Sequence, residues 1–218
     1  MKYKFLFLFL LITVSLQAQE MIQISHYLFP DFQSGVVLMK NGVRNNAKLN
    51  YNTASEEMVF DENGKYLAIG DVLLPQIDTV FISNEKFIRV NNKFVKIIFD
   101  EPEISLFVEH KCRLIPPGKP AAYGGTSQTS SAASYSSIMA DGKVYNLKLP
   151  DDYKFKPYNV FWINRNGKLI SFSSIGQLKK IYRDKKKVIG DYLKKNDVKL
   201  TDEKSVEDVI IFMENNSN

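Results

Sequence analysis

The sequence predicts an α+β fold, an N-terminal antiparallel β-meander closed as a barrel or sandwich and followed by a small hairpin plus three short helices. Three observations carry this. Residues 35–115 alternate apolar and polar positions in short runs split by turn pairs. Aromatic residues make up 12% of the chain, with 15 Phe and 11 Tyr, residue types that suit half-buried strands. From Ser174 onward the apolar period changes from 2 to about 3.6, the repeat of a helix.

The strands follow in order. Residues 35–40 run into Asn41-Gly42, a hairpin signal because a type I′ turn needs positive φ at both central residues. Residues 47–51 alternate as a half-buried strand does, and 57–60 reach a second turn at Asn63-Gly64, after which 66–69 return. Strands are expected at 78–82 and 87–90, with Asn91-Asn92 turning into 94–99, and 104–115 gives a long strand or a bent pair. A further strand, 143–149, follows Asp141-Gly142, and 159–163 and 168–172 flank Asn166-Gly167 as another hairpin.

Three helices close the pattern. Ile175, Leu178, Ile181 and Tyr182 stripe one face, with Ser173 or Ser174 as the cap. Asp184 is expected to cap a second helix carrying Val188, Ile189, Tyr192 and Leu193, which Asn196 stops. Thr201 opens a third, with Asp202 and Glu203 in the first turn, where the helix dipole favours acids, and a stripe of Val206, Val209, Ile210 and Met213. Helices this short must pack together or onto the nearby hairpin to be stable.

Four segments result: a signal peptide at 1–18, a β-rich domain at 19–115, a loop or linker at 116–137, and the hairpin with three helices at 138–218. Lys2 and Lys4 precede 12 residues, 5–16, that are apolar except for Thr13 and Ser15. That run is too short to span a bilayer, which takes about 20 apolar residues, and its basic front and small Ala18 fit a secretory leader cleaved after Ala18. The expected address is therefore the periplasm or the exterior. The single cysteine, Cys112, lies far from the cleavage site, so a lipoprotein is not expected. One cysteine also leaves stability to packing rather than to an internal disulfide. On a strand, Lys111 and Arg113 point away from Cys112, which reads as a buried small apolar residue. Residues 116–137 hold 6 Ser, 2 Thr, 4 Ala, 3 Gly and 3 Pro with one charge, Lys119, a composition that buries too little to order itself as a core.

These residues resemble something known. The leader ending Gln17-Ala18-Gln19, the run Gly35…Lys40-Asn41-Gly42, then Leu49-Asn50-Tyr51-Asn52 and Glu57-Met58-x-Phe60, and the Lys-rich tail after Ser173-Ser174 look like uncharacterised exported β-rich proteins of the Bacteroidota. The resemblance implies export and a β domain with a helical tail, and it carries no activity. Asp78-Thr79-Val80 is similar to the short O-glycosylation pattern of that group.

No catalytic, cofactor or metal pattern is present. His26 and His110 have no partner at ligand spacing and are expected at the surface or half buried. The adjacent carboxylates Glu56-Glu57, Asp100-Glu101 and Asp151-Asp152 diverge if they lie on strands, which is poor for a shared glycosidic bond. Gly124-Gly125-Thr126-Ser127 lacks the lysine and the strand–helix setting of a phosphate loop. The sharpest feature is basic: Lys179, Lys180, Arg183, Lys185, Lys186, Lys187, Lys194 and Lys195 stand against Asp184 and Asp191. Such a cluster attracts polyanions or anionic surfaces, or is simply the solvated face of two helices. Export argues against nucleic acid, leaving an envelope protein or a polyanionic glycan as the expected partner. The leading expectation is a non-enzymatic binding or structural component of the envelope. Polyanion binding is the alternative, and a hydrolase with 116–137 as a lid is the weakest one.

Overall fold

The structure, a computed structural model, describes residues 26–115 and 154–216 and the short strands at 119–120 and 126–127. The expected leader, most of the 116–137 segment, the 143–149 strand and Asp151-Asp152 lie outside the described residues.

Twelve strands are described: β1 (Gln33–Met39), β2 (Arg44–Asn52), β3 (Glu57–Glu62), β4 (Lys65–Ala68), β5 (Ile77–Ile82), β6 (Glu85–Val90), β7 (Lys93–Asp100), β8 (Ile104–Ile115), β9 (Lys119–Pro120), β10 (Thr126–Ser127), β11 (Lys154–Arg165) and β12 (Lys168–Phe172). β9 and β10 pair only with each other. The other ten form one antiparallel sheet in the order β12-β11-β8-β7-β6-β5-β1-β2-β3-β4. The helices are α1 (Ile175–Ile181), α2 (Lys186–Asn196) and α3 (Glu203–Asn215).

Turn chemistry sets the hairpins. Asn63-Gly64 and Asn166-Gly167 have positive φ at both residues, as does Asn91-Asn92, so these are the tight two-residue turns that match strand twist. The first hairpin departs from the type I′ expectation. Only Gly42 is left-handed, Gly42 N–H donates to Met39 O, and Met39 N–H donates to Val43 O. This is a type I turn closed by a glycine bulge, the common form when the loop has one more residue.

Register shows which face is buried. Val37 lies opposite Val80, Val80 opposite Phe87, Phe87 opposite Lys96, Lys96 opposite Val108, Val108 opposite Phe161, and Phe161 opposite Phe172. Cross-strand partners share a face, so one row of side chains crosses seven strands, apolar everywhere but at Lys96. Its β1–β6 end joins Leu49, Tyr51, Met58, Ile82 and Phe94 in one core. Its β8–β12 end joins Leu178, Ile189, Val206, Ile210 and Met213 of the helices in a second.

The first core has no helical cover, so the sheet must curl over it. The rings of Tyr51 on β2 and Phe87 on β6 are 6.2 Å apart. In a flat sheet these strands, separated by β5 and β1, would lie about 14 Å apart. Curling brings the β2–β3 turn to β8, where Cys112 N–H donates to Thr53 O at 2.8 Å. That is one hydrogen bond and no ladder. The sheet is open and does not close as a barrel, and its far half is covered by helices instead.

Two residues show the fit. A Cβ on Gly35 would stand 2.4 Å from Phe81 O and 2.7 Å from the Leu49 side chain, so β1 passes its neighbours only as glycine. Pro157 lies opposite Cys112 in β11. Cys112 N–H points away from β11, to Thr53, so the missing N–H of Pro157 falls on the side that β12 does not reach.

Candidate functional site

The basic residues of the helical tail are the natural starting point. Lys179 and Lys180 end α1, and Lys194 and Lys195 end α2, where the unpaired carbonyls carry partial negative charge. Arg183 and Lys185 belong to a 3-10 turn between these helices, Arg183 beside Asp184 at 3.6 Å with both side chains exposed. Lys185 Nζ donates to Asn216 O at 2.5 Å and ties the turn to the end of α3. Lys186 and Lys187 open α2 and are exposed. The eight residues thus spread along two helices and their joint, four of them in positions that helix electrostatics explains.

Of the two histidines, only His110 differs from expectation. His110 is buried, because β8 places it on the helix-covered face beside Asn159 of β11 and Glu203 of α3. Asn159 Nδ2 donates to Leu200 O, which turns its Oδ1 toward His110 Nδ1 at 3.0 Å, so Nδ1 carries the proton. Nε2 then faces Glu203 Oε1 at 3.3 Å with a lone pair and makes no hydrogen bond. Burial holds the imidazole below its usual value. Lys96 completes the group, pairing with Glu203 at 2.6 Å and Glu85 at 3.2 Å. His26 is half buried and shifted in the same direction for the same reason.

A second polar group pins the curl. Glu56 has φ 63° in the β2–β3 turn and pairs with both Lys93 and Lys111. These contacts hold its carboxyl below the usual range despite burial, which acts the other way. Lys111 also reaches Glu109 at 3.1 Å, and Glu109 accepts from Trp162 Nε1 at 3.2 Å. Neighbouring Glu57 begins β3, so the Glu56-Glu57 pair does not converge. Asp100 accepts from Ser105 Oγ at 2.5 Å across the β7–β8 turn. Among the described residues no group of three His, Cys, Asp or Glu is placed to hold a metal. Thr79 is nearly buried on β5 and its hydroxyl donates to Asp78 Oδ2 at 2.9 Å. Cys112 is half buried rather than buried as expected, and its partial burial raises the thiol.

Two concave features lie elsewhere, beside the segment 69–76 that links β4 to β5. One is an apolar cleft of about 430 Å³ lined by Val37, Met39, Ala47, Leu49, Phe60 and Leu73, with the Asn45 and Asn46 positions as its polar rim. Val72 and Leu73, 82% and 48% exposed, project from the linking segment, and Val43 is 50% exposed in the β1–β2 turn. Lys40 N–H donates to Gln76 O and joins the turn to that segment, so exposed apolar side chains gather in the two loops beside the cleft. The other feature is a polar pocket of about 720 Å³ that includes Lys40, Asp71, Asp78 and Arg89. The basic cluster of the helical tail lines neither. The sequence signal for the cleft was the run Val72-Leu73-Leu74 before Pro75, apolar residues in a stretch too short and too close to proline to be a strand.

No helix among the described residues is long and apolar enough to cross a membrane. Compared with known proteins, the chain matches no family model, no curated protein and no solved structure.

Proposed function

We propose that this chain is an exported protein of the periplasm or exterior that works by binding, not by catalysis, and that it holds an apolar group of its ligand in the cleft between β1–β3 and residues 69–73. The cleft carries the reading: about 430 Å³ of largely apolar wall, with exposed Val43, Val72 and Leu73 in the loops beside it. Ligand sites combine such walls with a few polar groups that orient the guest, and the Asn45 and Asn46 positions stand at that edge. Export rests on Lys2, Lys4 and the apolar run 5–16, and on the resemblance to exported proteins of the Bacteroidota.

The test uses the neutral fluorophore N-phenyl-1-naphthylamine titrated into the full-length mature chain. Saturable enhancement is expected. Leu73→Asp should weaken it about tenfold or more, the equivalent of losing one apolar side-chain contact of 1.5–3 kcal/mol. Because Leu73 is half exposed, its melting temperature should stay within a few degrees of wild type. Ala47→Trp, which fills the cleft, should abolish binding. No enhancement with the wild type, or equal enhancement in both variants, would overturn the reading.

A further inference from the structure

The outer face of the curl carries an aromatic stack that belongs to neither core. Tyr66, on the edge strand β4, is 40% exposed. Its ring stacks on Phe32, with centroids 4.5 Å apart and planes at 19°. Tyr27 meets both rings at steep angles, 5.4 Å from Phe32 and 6.3 Å from Tyr66. It is nearer to Phe32, so it stands on that side of the stack and the far face of Tyr66 is left to solvent. Packing on one face fixes the plane of an aromatic ring, and the other face becomes a rigid apolar platform.

Register sets polar groups beside that platform. Tyr66 lies opposite Asp61, Asp61 opposite Lys48, and Lys48 opposite Ser34. Ser34 is an odd number of positions from core-facing Val37, so this row points outward across four strands. Lys48 is exposed and Asp61 half-buried. Lys48 donates to Ser34 Oγ at 3.1 Å and Asp61 Oδ1 accepts from Gly64 N–H at 2.7 Å, but the two charges do not pair with each other. The ammonium therefore keeps two N–H donors, and the carboxylate one oxygen, for a guest. Beyond Ser34 the row meets a groove of about 490 Å³ walled by Val36, Asn46, Lys48 and Phe81. Lys86 Nζ stands 5.9 Å from the Phe81 centroid, which occupies that ring and leaves Tyr66 as the platform. A pyranose presents a face of C–H bonds, whose partial positive charge suits the negative face of an aromatic ring, and a rim of hydroxyls. Neighbouring strands lie about 4.8 Å apart, close to the length of one pyranose unit, so a chain laid across them meets one polar side chain per sugar. One cation and one carboxylate supply donors and acceptors without net charge, which suits hydroxyls rather than an anion. We propose that the outer face of β1–β4 binds an extended neutral glycan, one ring stacked on Tyr66 and the next units on Asp61, Lys48 and Ser34 toward the groove.

The probes are cellopentaose and cellobiose, titrated into the mature chain by calorimetry or followed by ligand-observed NMR. Cellopentaose is expected to bind about tenfold or more tighter than cellobiose, because only the longer chain adds hydrogen bonds to Lys48 and Ser34. Its affinity should change by less than about twofold between 50 and 500 mM salt, as for a ligand without charge. Tyr66→Ala should weaken it about tenfold or more by removing the platform, and Tyr66→Phe, which keeps the ring, should stay close to wild type. Lys48→Met keeps most of the side chain at an exposed position and guards against misfolding of the alanine variant; it should weaken cellopentaose more than cellobiose. No binding of cellopentaose, equal binding of the two sugars, a steep loss with salt, Tyr66→Phe as weak as Tyr66→Ala, or wild-type affinity in Tyr66→Ala or Lys48→Met would each overturn the proposal. The apolar cleft is walled by Val37 and Leu49 of the inner face, so none of these outcomes bears on the naphthylamine titration.

Discussion

His110 shows how one residue's placement becomes a property of the whole chain. Its neighbours are Asn159, Glu203, Lys96 and Glu85, contributed by β11, α3, β7 and β6. Burial is the largest influence and lowers its proton affinity; Glu203 pulls the other way and Lys96 adds to the lowering. A folded-state value below the unfolded one, about 6.5, means that both states are neutral above that pH and stability is complete there. As pH falls through that value the unfolded chain takes up a proton first, so stability declines until the folded value is reached. The slope is at most about 1.4 kcal/mol per pH unit for one such site. His26 contributes with the same sign. Melting temperatures taken from pH 7.5 down to 5.5 should therefore fall, and His110→Gln should flatten that dependence whatever it does to absolute stability. A wild-type profile that rises over this window, or a His110→Gln profile as steep as wild type, would contradict this account. The sequence showed no partner for His110, because Asn159 and Glu203 lie 49 and 93 positions away and only the fold brings them near.

At the scale of elements, legibility followed locality. Helix α1 begins where its serine predicts, with Ser174 Oγ accepting from Gln177 N–H at 3.2 Å. Helix α2 does not. Asp184 was expected as its cap, yet Lys185 N–H donates to Tyr182 O and the chain turns through a 3-10 segment first. Lys185 stands at the N-cap without a side-chain bond to the helix backbone, so that start is held by packing and by its Nζ contact to Asn216 O. Helix α3 starts one residue later than Thr201 suggests, because Asp202 takes the cap and accepts from Lys204 N–H at 3.1 Å. Thr and Asp are both good caps, and sequence alone does not separate adjacent residues of these types. The far end of α3 is tied by Glu214, which accepts from Arg165 at 2.5 Å and from the Tyr182 hydroxyl at 2.6 Å. Asp202→Ala should therefore lower stability by about 1 kcal/mol, and Thr201→Ala should change it by less. Denaturant melts of the two variants check this; the opposite ranking would move the cap to Thr201.

At the scale of the molecule, the hairpin periods were readable and the curl was not. Alternation tells which side of a strand is apolar, but the cover of that side depends on strand order, and β1 pairing with β5 is not visible in any local pattern. The curl leaves two cores, one inside the bend and one beneath the helices, built on the same face of the same sheet. They meet at β7–β8. Lys96 stands on the shared row and pairs with Glu85 on one side and Glu203 on the other. On the opposite side of the sheet Glu56 clamps Lys93 of β7 and Lys111 of β8. β11 pairs with β8 along all 12 of its residues, from Lys154 opposite Ile115 to Arg165 opposite Ile104. β8 in turn pairs with β7 across the join, from Lys96 opposite Val108 to Asp100 opposite Ser105, so loosening either core should loosen both. Met58, 1% exposed inside the curl, and Met213, fully buried beneath the helices, are the probes. Truncating a buried methionine to alanine destabilises by about 2–5 kcal/mol. Met58→Ala and Met213→Ala should each move one common transition to lower denaturant, followed alike by far-UV circular dichroism and by the fluorescence of Trp162, the single tryptophan. Because Trp162 lies on β11 and bonds to Glu109 of β8, it reports from the half that holds the second core. If Met58→Ala instead splits the curve, with the dichroism lost before the tryptophan signal, the halves unfold separately and the β7–β8 ladder does not couple them.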